Sequence, residues 1–133
     1  MSDESKVGGK ASRRILVVED DAAIMSFLTA LLSDRGYEVI QARNGVEAMV
    51  AVTAPKPELP DAILLDLGLP LEGGISVLNL LRNVLRTALP VMVVTGRQDP
   101  EEEAAIRELG VTAFLRKPVN TQQVLSALSL ALD

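Results

Sequence analysis

Ile15-Leu16-Val17-Val18-Glu19-Asp20-Asp21 is an aliphatic run cut off by three acids. Four consecutive apolar residues without polar alternation suit a strand covered on both faces, the pattern of a parallel sheet. The pattern returns at Ile63-Leu64-Leu65-Asp66 and at Val91-Met92-Val93-Val94-Thr95, each run again ending at a polar residue. Helical spacing fills the gaps. Ile24, Phe27, Leu28 and Leu31 mark a helix over 22–33, and Gly36 stands where a C-terminal glycine stop belongs. A second strand is expected over 37–42. Asn44 and Glu47 have the spacing of an N-cap with its reciprocating acid, opening a helix that reaches about Thr53. Pro55, Pro57 and Pro60 then break the chain.

The second half repeats the alternation. Residues 70–74 read as a loop, and Ile75, Leu78, Leu81 and Leu85 space a third helix. Asp99-Pro100-Glu101-Glu102 combines a cap residue, proline at the first position and acids in the first turn, a strong helix start. Glu101 to Glu103 are read as complementing the helix dipole. Gly110 ends that helix, a fifth strand is expected over 111–115, and Lys117-Pro118 follows it. Asn120 and Gln123 begin a last helix with Val124, Leu128 and Leu132 toward the core. The order βαβαβαβαβα predicts an α/β fold, a five-stranded parallel sheet wound on both faces.

Composition agrees and excludes other classes. A chain of 133 residues suits one domain, and 48% hydrophobic residues with only 2% aromatics require an aliphatic core. Absence of cysteine and histidine rules out disulfides, thiolate or imidazole metal sites, histidine-dependent triads and a phosphohistidine on this chain. The formal charge of −5 argues against nucleic acid or an anionic membrane as partner. No apolar run approaches the ~20 residues of a membrane span, and the polar residues 1–14 lack a signal-peptide core. Residues 1–12 are expected to form a flexible tail, 13–133 the folded domain, and the cytoplasm is the default location.

Ligand crevices of open α/β sheets lie outside the carboxyl ends of the strands. Here those ends carry Glu19, Asp20, Asp66, Thr95 and Lys117. Three carboxylates against one ammonium leave about two uncompensated charges, which a divalent cation would balance. An all-oxygen donor set favours Mg²⁺. Asp66 would then be placed to attack phosphorus, as an aspartate does in forming an aspartyl phosphate. Lys117 would neutralise the phosphoryl oxygens, and Thr95 and the Gly96 N–H would donate hydrogen bonds to them.

The same residues resemble the receiver domain of bacterial response regulators, over about 13–132. Residues 15–20 resemble its first strand with the acidic pair; 63–70 resemble its phosphoacceptor strand, with Pro70 four and Gly74 eight residues past Asp66. Thr95-Gly96 and Lys117-Pro118 complete the set. Singly these motifs are weak; five in order at strand ends are a strong signal. The resemblance implies strand order 2-1-3-4-5 and a cis Lys117–Pro118 bond. It implies metal ligation by Glu19, Asp20, Asp66 and the Gly68 carbonyl, with Asp66 also the acceptor. It implies transfer from a histidine kinase or phosphotransfer protein, followed by movement of Thr95 and inward rotation of Phe114. That movement would alter the surface of the fourth helix, fifth strand and fifth helix, where a target protein or a second copy would dock. The domain would catalyse its own phosphorylation and dephosphorylation and turn over no external substrate.

Phe114 also reads simply as a half-buried strand aromatic, and the apolar last helix as either a broad buried stripe or a docking face. Val119 stands where the family more often has an aromatic, and Met25 where it often has arginine. Gly68 and Arg97 occupy positions thought to tune phosphoryl lifetime, and Gly68 offers no side chain to orient water. Two other classes fit less well. An aspartate-nucleophile phosphatase wants a second acid where Gly68 stands, and a flavodoxin-like carrier wants aromatics and a hydroxyl-rich loop after the first strand. The chain reads as a stand-alone receiver or as one excised from a larger regulator.

Overall fold

A computed structural model describes residues 13–68, 73–96 and 98–132. The expected tail, 1–12, lies outside the described residues, as do Pro70 and Arg97. The elements are β1 (Arg14–Val18), α1 (Ala22–Asp34), β2 (Glu38–Ala42), α2 (Gly45–Val52), β3 (Ala62–Asp66), α3 (Gly73–Asn79), β4 (Val91–Thr95), α4 (Pro100–Leu109), β5 (Ala113–Arg116) and α5 (Thr121–Leu132). A 3₁₀ turn, Lys56–Glu58, occupies the proline-broken stretch before β3, and a π-helical turn, Leu80–Val84, prolongs α3. The five strands are parallel, in order β2-β1-β3-β4-β5.

Alternation along the buried strands makes two cores. Leu16, Val18, Ile63, Leu65, Val91 and Val93 face α2, α3 and α4, meeting Ala48, Val52, Val77, Leu78, Leu81 and Ile106. Ile15, Val17, Ala62, Leu64, Met92 and Val94 face α1 and α5, meeting Met25, Leu28, Leu32, Val124, Ala127 and Leu128. With both faces covered, successive residues are all buried, which is why these strands show no polar alternation.

Helix starts follow the side-chain chemistry. Asp21, Asn44 and Asp99 accept from N–H groups of the first turns of α1, α2 and α4. Asn120 and Gln123 form a reciprocal box at α5, Gln123 N–H to Asn120 Oδ1 at 2.9 Å and Asn120 N–H to Gln123 Oε1 at 3.1 Å. At α2 the reciprocal bond shifts by one residue: Glu47 accepts from Arg43 N–H at 2.8 Å.

Two expected core stripes are corrected. In α1 the buried residues are Met25, Leu28 and Leu32, while Phe27 is 39% exposed. The i, i+3, i+7 line pointing at the sheet thus runs beside the more hydrophobic-looking one. The third helix starts at Gly73, and its tail widens to i→i+5 bonding, Leu85 N–H to Leu80 carbonyl at 2.8 Å. Val77, Leu78 and Leu81 are buried, whereas Ile75 and Leu85 lie exposed. Among the described residues no helix is long and apolar enough to cross a membrane.

Candidate functional site

Strand ends deliver the acids. Glu19 directly follows β1, and its N–H donates to the Ala42 carbonyl at 3.0 Å, adding a rung beyond β2. Asp66 closes β3 in register with Val94 of β4. Both carboxyl groups are buried, at 2% exposure each, while Asp20 is at the surface. One carboxylate oxygen from each of Glu19, Asp20 and Asp66 lies within 4.8 Å of the others.

Lys117 follows β5. Its N–H donates to the Thr95 carbonyl at 2.9 Å, and its peptide bond to Pro118 is cis. Its Nζ lies 3.1 Å from Asp66 Oδ2 and 3.7 Å from Glu19 Oε2. Gly68 N–H donates to Asp66 Oδ1 at 2.9 Å, and Asp21 N–H to Glu19 Oε2 at 3.2 Å. Both oxygens of Asp66 are therefore held, one by a backbone donor and one by a cation. Gly96 borders the Lys117 stem, where an added Cβ would lie 3.8 Å from Lys117 Cβ, an ordinary contact.

Burial raises Glu19 to about 7; the Asp21 N–H opposes this, the neighbouring Asp66 reinforces it, and Lys117 offsets part of it. Burial works against the charge of Lys117, but the hydrogen bond and charge of Asp66, with the charges of Glu19 and Asp20, outweigh it and raise the ammonium's pKa. Two buried acids and a surface acid sharing one ammonium form an anionic, all-oxygen pocket. That donor set fits a hard divalent cation such as Mg²⁺.

Thr95 ends β4, buried at 5% exposure, on the sheet face toward α4. Phe114 lies on the same face, half-buried beside the first core. The space bounded by Leu67, Thr95, Ile106 and Phe114 is too small for a water, so inward rotation of the ring requires its lining to move. The structure therefore brings Glu19, Asp20, Asp66 and Lys117 together, with Gly68 bonded to Asp66, Gly96 beside Lys117, and Thr95 and Phe114 on the α4 side.

Two residues singled out in the sequence carry roles that went unread there. Gly74, the second residue of α3, packs under the end of β3, and a Cβ there would lie 2.7 Å from both the Asp66 carbonyl oxygen and Leu67 Cα. Its spacing from Asp66 was the only available signal. Glu103 is also more than a dipole-complementing residue: it pairs with Arg107 at 3.3 Å and with Arg116 of β5. The i, i+4 pair was readable, whereas the cross-element partner needed the fold.

An open parallel sheet with an acidic, lysine-bearing pocket at its carboxyl edge defines a doubly wound α/β protein with an oxygen-donor site. Residues 15–129 match the response regulator receiver domain, and the chain belongs to that family, within two-component signalling. It is 33% identical over 116 residues to the CAI-1 autoinducer sensor kinase/phosphatase CqsS of Vibrio cholerae, covering 86% of this chain and 16% of that protein. It is 36% identical over 115 residues to the response regulator MprA of Mycobacterium bovis, covering 86% and 48%. The chain thus spans half the length or less of these curated relatives. A response regulator receiver protein from Pseudomonas putida superimposes with TM-score 0.82 at 31% identity, over 90% of this chain and 98% of that one. A CheY-like receiver domain from Methanospirillum hungatei gives 0.81 at 29%, over 90% and 92%.

Proposed function

We propose that this receiver takes a phosphoryl group onto Asp66 from a phosphohistidine of a histidine kinase or phosphotransfer protein. The observation that carries the reading is the acid cluster itself, with Lys117 Nζ 3.1 Å from Asp66 Oδ2. Glu19, Asp20, Asp66 and the Gly68 carbonyl would hold Mg²⁺. When bound, that ion supplies charge neutralisation for the incoming phosphoryl oxygens. An Asp66 carboxylate oxygen attacks phosphorus, a P–O bond forms, and the P–N bond to the donor imidazole breaks with its electron pair returning to nitrogen. Lys117 moves with the charge, from carboxylate to phosphoryl oxygen. Thr95 and the Gly96 N–H donate to the remaining oxygens.

Drawn toward those oxygens, Thr95 leaves room on the α4 side for Phe114. The α4–β5–α5 surface changes with it and presents itself to a target protein or a second copy. Nucleic acid and membrane are not partners of this domain, and its place is the cytoplasm.

The test is labelling with acetyl phosphate, with and without Mg²⁺, repeated on Asp66→Asn. Magnesium-dependent labelling that vanishes in the variant is expected; labelling that persists would move the acceptor elsewhere. Gly68 adds a rate. A side chain at that position would start 3.6 Å from Asp66 Oδ1, and glycine puts nothing there to orient a hydrolytic water. The phosphorylated chain is expected to lose its label slowly, over minutes or longer. A half-life of seconds would contradict this, and Gly68→Asn is expected to shorten it.

A further inference from the structure

Among the described residues, α4 is the helix with the weakest hold on the core. Ile106 is its single buried residue, against three each in α1, α2, α3 and α5. Its two ends are held by different means.

The C-terminal end is clamped by Arg82, from the π-helical turn after α3. Nε donates to the carbonyls of Leu109 at 3.0 Å and Gly110 at 3.1 Å, and Nη2 to Gly110 at 2.8 Å. The same guanidinium reaches the carbonyls of Thr87 at 2.8 Å and Leu89 at 2.7 Å, tying the helix end to the segment that enters β4. Gly110, at φ +90, turns the chain there.

Along its length, from Glu103 in the first turn to Arg107 in the last, α4 is tied to β5 by side chains. Glu103 accepts from both Arg107 and Arg116, and the Arg107 guanidinium sits 4.4 Å from the centre of the Phe114 ring. The contacts with Arg116 and Arg107 hold the Glu103 carboxyl below the usual carboxylate range. An open cleft of about 370 Å³, lined by Asp99, Glu103, Ala104, Arg107 and Arg116, lies along this face of α4 and gives the helix room to move.

We infer that α4 is a hinged lever: Arg82 fixes its C-terminal pivot, and the Glu103–Arg116 contact forms the latch that restrains its first turn, with Arg107 in the last turn bracing Glu103 and the Phe114 ring. The latch includes the ring that the proposed switch must turn, so it regulates that switch and in this respect rests on the proposed function. Exposed ion pairs and guanidinium–ring contacts bias a two-state equilibrium about two- to fivefold. That is enough to set how readily the α4–β5 face rearranges, and too little to lock it.

The test uses amide hydrogen exchange on the unphosphorylated chain, wild type against Glu103→Gln, Arg107→Ala and Arg82→Lys. Glu103→Gln and Arg107→Ala are expected to speed exchange over 103–107 about two- to fivefold while leaving 110–112 unchanged. Arg82→Lys is expected to speed exchange at 110–112. Latch variants that leave 103–107 unchanged, or that loosen 103–107 and 110–112 alike, overturn the lever whether or not the Arg82 variant folds. Acetyl phosphate labelling separates the two readings. Faster labelling of both latch variants than of wild type supports the latch, and equal rates refute its regulatory role. A wild type that takes no label refutes the proposed function while the exchange pattern still decides the hinge.

Discussion

A carboxyl group buried beside another carboxyl group keeps its proton to higher pH, and Glu19 does so up to about 7. Its folded value lies above the ordinary 4.5. The stability it contributes is therefore fully present below about 4.5 and is lost as pH rises through about 7. Urea unfolding in chelator should show the metal-free chain losing stability on the order of 2–3 kcal/mol across that window. Glu19→Gln should flatten the slope. Since Mg²⁺ would be held by the ionised carboxylate, its stabilising effect should grow over the same window. Gly74→Ala tests sterics, because its methyl carbon would meet backbone atoms of Asp66 and Leu67 at 2.7 Å. A loss of more than about 2 kcal/mol in urea unfolding is expected. The two residues differ in how far the sequence exposed them. Glu19 was legible, as an acid terminating an aliphatic strand. The steric role of Gly74 was not, because a close approach between a helix and a neighbouring strand end leaves no trace in local propensity.

At the scale of elements, the strands and caps were legible because each rests on a local rule, continuous apolar runs for the strands and Asx side chains for the helix starts. Which face a helix turns inward was less so. In α1 and α3 two apolar lines run side by side, and only packing against the sheet selects Leu32 over Phe27 and Val77 over Ile75. The last helix poses the same choice, and the structure divides it. Val124, Ala127 and Leu128 are buried at 1–3% exposure, while Leu130 is 70% exposed. Leu128→Ala is expected to cost about 2–5 kcal/mol in denaturant unfolding, the range for a buried leucine truncated to alanine. Leu130→Lys should stay within about 0.5 kcal/mol. A larger loss at 130 would mean that its side chain is covered in solution, by a second copy for example, and sedimentation would then show a dimer. Arg82 had no sequence signal, since its partners are backbone carbonyls of Thr87, Leu89, Leu109 and Gly110.

For the molecule as a whole, the site is a junction between segments that sequence holds far apart. Glu19, Asp66 and Lys117 end three different strands, and only the order β2-β1-β3-β4-β5 brings β1 and β3 together with β5 close enough for Lys117 to reach across. Each motif was readable in isolation, and the rule that ligand crevices lie at the carboxyl ends of the strands gathered them on one edge; the strand order itself followed from family resemblance, because it is not written in local pattern. A cation bridging these ends would bind only the folded chain. Mg²⁺ should therefore raise the midpoint of one cooperative unfolding transition, by about 2.7 kcal/mol at a hundredfold excess over its dissociation constant. Lys117→Met separates the ammonium of the site from the cation proposed to bind there. Without the ammonium, the buried carboxyls of Glu19 and Asp66 lose the counter-charge 3.7 and 3.1 Å away. The metal-free variant should be destabilised by about 1–3 kcal/mol. Magnesium should then restore more stability to Lys117→Met than it adds to wild type, because it alone neutralises the pair. Asp66→Asn, which removes one of the repelling charges together with a proposed metal ligand, should show the reverse, a smaller gain from Mg²⁺ than wild type. Equal magnesium shifts in all three proteins, measured by thermal melts at pH 8, would mean that the ion binds elsewhere and that the strand-end acids do not share it.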